Sequence, residues 1–427
     1  MREEMDNKKE RVLLVGVSLN DKKGIDIDSS MDELKELTFA AEAEPIEGIV
    51  QNRHKIDSAY YIGKGKAQEI HNYCEELDID TVVFNDELSG AQIRNLEEII
   101  GRNVIDRTNL ILDIFARRAT SKEGKLQVEL AQLKYRLPRL IGLGTQLSRT
   151  GAGIGTRGPG EKKLEIDRRH ILSRITEIKR QLKEIGNVRE IKRKKRMDSG
   201  LPIVALVGYT NAGKSTLLNN IIKRSEEYNL DKEVYSENML FATLDTTLRK
   251  STLPNGQHFL ITDTVGFVSK LPTHLIEAFK GTLEEVNYAD LLVHVVDITN
   301  EDLDIQIKTT LDVLKKLDVL EKPIITVFNK IDKNNSENVD YDINGPKVFI
   351  SAYDGTNIDR LMTEIEENLP QKYYKVNLLI PYNKGNISSY IFDKTKVEKK
   401  EYTEEGAIIT TVLDSIDYDR YKEYIID

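Results

Sequence analysis

The segment Gly208-Tyr209-Thr210-Asn211-Ala212-Gly213-Lys214-Ser215 carries the most specific chemistry in this 427-residue chain. Its spacing is G-x-x-x-x-G-K-[ST], the apolar run Ile203–Val207 leads into it, and Thr216-Leu217-Leu218 follows as a helix start. Backbone N–H groups of such a loop surround phosphate oxygens at a helix N-terminus. Gly213 lets the backbone approach, Lys214 neutralises β- and γ-phosphate charge, and Ser215 is placed to ligate Mg²⁺. Phe328-Asn329-Lys330-Ile331-Asp332 closes another apolar run and reads N-K-x-D. A carboxylate at Asp332 can accept hydrogen bonds from guanine N1–H and N2–H₂, a donor pair that adenine lacks, and an unpaired buried acceptor costs about 1–3 kcal/mol. Ser351-Ala352, after the apolar run at Lys347, resembles a base-supporting loop. Asp263-Thr264-Val265-Gly266 gives D-x-x-G: Asp263 would hold Mg²⁺ through water, and the Gly266 N–H would sense the γ-phosphate.

The expected nucleotides are therefore GTP and GDP, with Mg²⁺. A threonine should complete the Mg²⁺ shell, and spacing leaves Thr243, Thr246 and Thr247 open within Phe241-Ala242-Thr243-Leu244-Asp245-Thr246-Thr247. Phe267 stands where Ras-type GTPases carry a glutamine that orients the attacking water. An apolar ring cannot do that, so intrinsic hydrolysis is expected to be slow and raised by a partner or an ordered loop.

These groups must be held by a sheet. From Ile203 to about Pro370, short β-branched runs alternate with helical patterns, which predicts a doubly wound, mainly parallel sheet. Upstream, Val12–Val17, Ile46–Gln51 and Thr81–Phe84 read as strands, and Met31–Ala43 and Ala67–Leu77 as helices. That predicts a small α/β domain over 1–118. Gly63-Lys64-Gly65-Lys66 lacks a full phosphate loop and reads as a turn followed by a helix start. Leu126, Leu130, Leu133, Leu137 and Leu140, then Leu164, Ile171, Ile175, Ile178, Leu182 and Ile185, recur at heptad-like spacing. They predict an antiparallel helical hairpin over 119–200. Its tip, 141–160, holds seven of the 26 glycines. A G domain over 201–370 and a small α+β domain over 371–427 complete the expected α/β multidomain architecture.

The formal net charge is −9, which taken whole argues against a nucleic-acid partner. The average conceals segregation. Ala116–Gly200 has 23 Lys+Arg against 9 Asp+Glu, a local net of +14, leaving −23 elsewhere. Arg149, Arg157, Lys162, Lys163, Arg168 and Arg169 flank the glycine-rich tip, a composition suited to entering between phosphate strands of RNA. The single Cys74 excludes an internal disulfide and a cysteine zinc site. A polar N-terminal stretch of mixed sign and the absence of any long apolar run point to a cytoplasmic protein without membrane insertion.

The chain resembles the HflX family of translational GTPases over essentially its full length. The residues that carry the resemblance are Tyr61–Lys66, Val104–Thr108 with Leu112–Ala116, Gln127–Leu133, Gly155–Glu161 and Phe241–Asp245. The resemblance implies a two-part N-terminal region before the G domain, large-ribosomal-subunit binding and ribosome-stimulated GTPase activity. It also implies a glycine-rich loop directed at ribosomal RNA near the peptidyl-transferase centre, and, as in some members, splitting of stalled or idle ribosomes, notably under heat stress. It selects Thr243 as the Mg²⁺ threonine, although Thr246 replaces a proline common at that place in the family. An apolar residue after D-x-x-G is shared by the family, so Phe267 does not signal a dead site. The protein is expected to act as a monomer. The rival reading of the same residues is a GTP-gated ribosome-assembly or RNA-binding factor.

Overall fold

The computed structural model describes residues 9–19, 26–140, 159–197, 201–224, 241, 248–270, 285–333, 345–369, 373–395 and 397–426. Residues 141–158, which hold most of the expected glycine-rich tip, and 242–247, with all three candidate threonines, lie outside them.

The N-terminal sheet is wholly parallel, in the order β2 (Glu44–Arg53), β1 (Arg11–Leu19), β3 (Thr81–Phe84), β4 (Asn103–Asp106). Because side chains alternate along a strand, β1 feeds two cores. Val12 and Leu14 join Val83, helix α1 (Ile27–Ala40) and helix α4 (Arg107–Arg118) on one face. Leu13, Val15 and Val17 join Phe84, helix α2 (Lys64–Glu76) and helix α3 (Gly90–Ile100) on the other. The Gly-Lys-Gly-Lys segment opens α2, with Gly63 as N-cap. Strand β4 and helix α3 had no clear sequence signal. Ser89 opens α3 in a reciprocal capping box with Gln92, and Asp106, the last residue of β4, caps α4 by accepting from Asn109 N at 2.9 Å.

Helices α5 (Lys122–Leu140) and α6 (Pro159–Met197) follow. Their seam is the expected one: Leu126, Leu130, Ile175 and Ile178 are buried together, with Leu133, Leu137, Ile171, Leu182 and Ile185 against them. Leu140 stays out of this cluster. Arg174 bonds Glu129 at 2.7 Å and Arg189 pairs with Glu123, so rising numbers on α6 meet falling numbers on α5 and the helices are antiparallel. The opposite side of α5 sends Val128, Ala131 and Tyr135 into the core shared with α1 and α4.

The G domain has six strands in the order β10 (Lys347–Phe349), β9 (Ile324–Asn329), β8 (Leu291–Asp297), β5 (Ile203–Gly208), β7 (His258–Asp263), β6 (Leu248–Thr252). All pairs are parallel except β6, an antiparallel edge on β7 that the sequence did not announce. Helices α7 (Lys214–Lys223), α8 (Leu303–Lys316) and α9 (Ile358–Asn368) cover its faces. This is the doubly wound sheet anticipated from alternation, with the motif residues at the carboxyl ends of β5, β7 and β9. The last unit is an antiparallel sheet, β12 (Val397–Tyr402), β13 (Ala407–Asp414), β11 (Tyr373–Ile380), β14 (Ile425–Ile426), around its own core of Leu378, Ile391, Ile409 and Leu413.

Candidate active site

Buried strand β5 ends at Gly208, and the chain then turns tightly into α7. Asn211 and Gly213 are left-handed, φ 60° and 93°. A Cβ on Gly213 would sit 2.2 Å from Asn329 Nδ2, so glycine is required for both backbone and contact. Lys214 lies back along this loop, its Nζ donating to Tyr209 O at 2.7 Å and Gly208 O at 3.1 Å. It is only 6% exposed. Burial pushes its pKa down to about 8, against the pull of the Asp263 carboxylate.

Ser215 Oγ donates to Asp263 Oδ2 at 2.6 Å. A hydroxyl and a carboxylate together at the base of a phosphate loop are the hard oxygen donors Mg²⁺ selects, so the residues present fit that ion. Among the described residues no group of three or more His, Cys, Asp or Glu forms a metal cage. A divalent ion would draw the rest of its shell from nucleotide oxygens, water and residues such as Thr243.

The D-x-x-G loop is fastened to the phosphate loop by backbone. Phe267 N donates to Gly208 O at 3.1 Å, and Thr210 N to Phe267 O at 2.8 Å. Gly266 is so close that a Cβ would meet Thr210 Cα at 2.7 Å and Lys214 Nζ at 3.0 Å. Thr264 turns away, its Oγ1 donating to Leu206 O at 2.7 Å. Phe267 is 2% exposed and packs with Val207, Tyr209 and Leu292. Its ring therefore serves as a core residue that fixes the loop, a role beyond the mere lack of a water-orienting group.

On the base side, Asn329 is a strut. Its Nδ2 donates to Ala212 O and its Oδ1 accepts from Ala352 N, both at 2.8 Å. One side chain thus ties the phosphate loop to the loop after β10. Ser351 Oγ donates to Asp332 Oδ1 at 2.7 Å, orienting a carboxylate that remains exposed at the mouth. Lys330, left-handed at φ 70°, is held by an ion pair to Asp297 at 2.7 Å.

The structure brings Gly208–Ser215, Asp263–Gly266, Asn329–Asp332 and Ser351–Ala352 to one end of the sheet. Ala242, Thr243, Leu244 and Asp245 lie outside the described residues. Phe241, expected among the nucleotide-binding residues, is 2% exposed, with its ring centroid 4.5 Å from that of Phe115 on α4. Val265 is likewise buried in the N-terminal core.

Sequence reasoning missed Glu33. From α1 its carboxylate accepts from the Tyr209 hydroxyl, from Ser269 N at 3.1 Å and from Ser269 Oγ, and pairs with Arg107. Burial alone would raise the Glu33 carboxyl, but the Arg107 charge and these hydrogen bonds outweigh it and hold it below its usual value. The available signal was Arg107 itself, a charge at the start of the apolar helix α4. A cavity of about 730 Å³ borders the phosphate loop on this side, but Asp26, Asp28, Asp32, Glu33 and Glu36 line it. That charge disfavours a triphosphate, which belongs at the helix N-terminal face.

Comparison with known proteins agrees with this geometry. Residues 28–116 match a family described as GTP-binding GTPase N-terminal, 118–196 a GTP-binding GTPase middle region, 203–330 a 50S ribosome-binding GTPase and 342–417 an HflX C-terminal domain. GTPase HflX of Caldanaerobacter subterraneus subsp. tengcongensis is 47% identical, over 99% of this chain and 96% of that protein. GTPase HflX of Lacrimispora saccharolytica is 46% identical, over 96% and 95%. GTPase HflX of Escherichia coli is 40% identical, over 89% of each.

Two predictions follow from this geometry. Asp332→Asn should lower GTP affinity by ~10- to 100-fold and gain affinity for xanthosine triphosphate; titration with both fluorescent nucleotides reads the exchange, and unchanged GTP preference would contradict the base assignment. Bound phosphates should restore the proton that burial drives from Lys214 at about pH 8. Nucleotide binding should then take up close to one proton at pH 9 and almost none at pH 7, with affinity falling as pH rises above 8. Calorimetry in buffers of different ionisation heat measures this, and equal uptake at both pH values would refute it.

Proposed function

We propose that this chain, which belongs to the HflX family of GTPases, binds the large ribosomal subunit and uses its GTP/GDP switch to split stalled or idle ribosomes. GTP binding and hydrolysis are properties of the family, and its fold is that of a P-loop GTPase behind an N-terminal α/β region. In the proposed site Lys214 meets the β- and γ-phosphates, Ser215 and Thr243 ligate Mg²⁺, and Asp263 supports that shell. Gly266 senses the γ-phosphate, and Asn329 and Asp332 select guanine. Bound Mg²⁺ supplies charge neutralisation at the phosphates. The chain's own residues orient the nucleotide and close the loops over it.

The observation that supports the ribosome reading best is the position of the basic hairpin. The +14 segment spans α5, the tip and α6, and its helix α5 shares a core with Phe241, Val265 and Val268 at the nucleotide loops. An RNA-facing element is thereby in mechanical contact with the loops whose shape depends on the γ-phosphate. Arg168 and Arg169 are exposed on α6, next to the tip. A match to a family described as 50S ribosome-binding GTPase points to the same partner. No helix among the described residues is long and apolar enough to cross a membrane, and we place the protein in the cytoplasm as a monomer that joins ribosomes.

Isolated large subunits should raise GTP turnover at least ~10-fold, the direction expected when a partner orders a site lacking its own water-orienting side chain. In light scattering, the GTP-bound protein should dissociate mature 70S ribosomes, and replacing the arginines and glycines of 149–160 should abolish splitting while intrinsic turnover persists. Association with immature particles alone would favour the assembly-factor reading. Splitting by the tip variant would move the RNA-facing element elsewhere.

A further inference from the structure

Glu33 belongs to the N-terminal domain, yet it bonds one residue of the phosphate loop and one residue just past Gly266. The carboxylate accepts from the hydroxyl of Tyr209 and from both N and Oγ of Ser269. Ser269 N also donates to the Tyr209 hydroxyl oxygen, so the two loops meet each other at this carboxylate. Behind it, Arg107 pairs with Glu33, donates to Ser269 Oγ at 2.9 Å and to Asn85 Oδ1 at 2.8 Å. Arg107 is 2% exposed, which fixes the guanidinium and through it the carboxylate. The arrangement differs from a surface ion pair in burial and in the number of fixed partners.

We infer that Glu33 is a positioning residue of the GTPase centre, holding Tyr209 and Ser269 so that the phosphate loop and Asp263–Gly266 keep the spacing hydrolysis requires. Position 267 carries a buried phenylalanine, so no side chain there orients water. Backbone groups of the 263–269 loop must then be preorganised by what grips that loop. Phe267 N and O grip it from the phosphate loop. Glu33 grips it from outside the G domain. The carboxylate's partners are Arg107, Tyr209 and Ser269, and its effect passes through the last two. This inference rests on GTP hydrolysis alone and stands whatever the partner proves to be.

The test is steady-state and single-turnover GTP hydrolysis by the full chain carrying Glu33→Gln, with GDP affinity measured in parallel. Turnover should fall at least about tenfold, the scale of an ångström-level misplacement of reacting groups, while GDP affinity changes by less than about threefold. Adding Ser269→Ala to Glu33→Gln should lower turnover by no more than about twofold further, because both act through one contact. Ser29→Ala serves as the control, since Ser29 links the same helix to the G domain through Asp302 without bonding Tyr209 or Ser269; its turnover should match that of the unsubstituted chain. Should Glu33→Gln fail to fold, Ser269→Ala alone carries the test with the same expected split. Turnover of Glu33→Gln within twofold of the unsubstituted chain, an equal loss in Ser29→Ala, or full additivity of the pair would each overturn the inference.

Discussion

Phe241, Val265 and Val268 complete their packing in another domain. They border the two loops expected to contact the nucleotide, yet all three are buried in one cluster with Leu110, Ile114 and Phe115 of α4 and with Leu34 and Leu37 of α1. Protein interiors are close-packed, so such a cluster accommodates a displaced ring by moving between discrete arrangements. Burying a side chain of this size contributes about 1.5–3 kcal/mol. A loop movement that withdrew even one of them would therefore cost enough to shift an equilibrium by more than tenfold. Movement of Val265 or Val268 in the loop after β7 would disturb the N-terminal core as well. The buried Glu33–Arg107 pair adds a polar constraint at the same place, where the D-x-x-G loop leaves the nucleotide.

The same cluster contains Val128, Ala131 and Tyr135 of α5. The Tyr135 hydroxyl donates to Asp106 Oδ1 at 2.7 Å, and Arg139 reaches Asp106 Oδ2 at 3.3 Å. Asp106 also caps α4, the helix that begins with Arg107. One short stretch, Asp106-Arg107, thus holds the tip-proximal end of α5 with its first residue and the Glu33 contact with its second. Among the described residues, packed helices and fixed charges join α5 of the hairpin to the residues beside the nucleotide loops.

Much of the site was legible in the sequence because its chemistry is local. A phosphate loop, a D-x-x-G and an N-K-x-D each end a strand, and a doubly wound sheet brings strand ends together without further instruction. The helical hairpin was legible for a similar reason, since Leu126, Leu130, Ile175 and Ile178 recur with the period of the structure they form. What stayed hidden depends on two distant surfaces meeting. Glu33 looks like any exposed carboxylate on an amphipathic helix until Tyr209 and Ser269 arrive from more than 170 residues away. Phe267 reads as the loss of a glutamine, and only the packed sheet reveals it as a core residue. Asn329 reads as part of a base-recognition motif, whereas both ends of its amide are engaged by Ala212 and Ala352.

Packed against Phe241, Val265 and Val268, the N-terminal core is placed to respond to the state of the nucleotide loops. Hydrogen exchange of the full chain, bound to GDP and then to a non-hydrolysable GTP analogue, tests it most directly. Exchange should differ between the two states within α4 and along α5, residues 107–140, as well as in the G domain. Differences confined to residues 203–369, with α4 and α5 identical in both states, would contradict it.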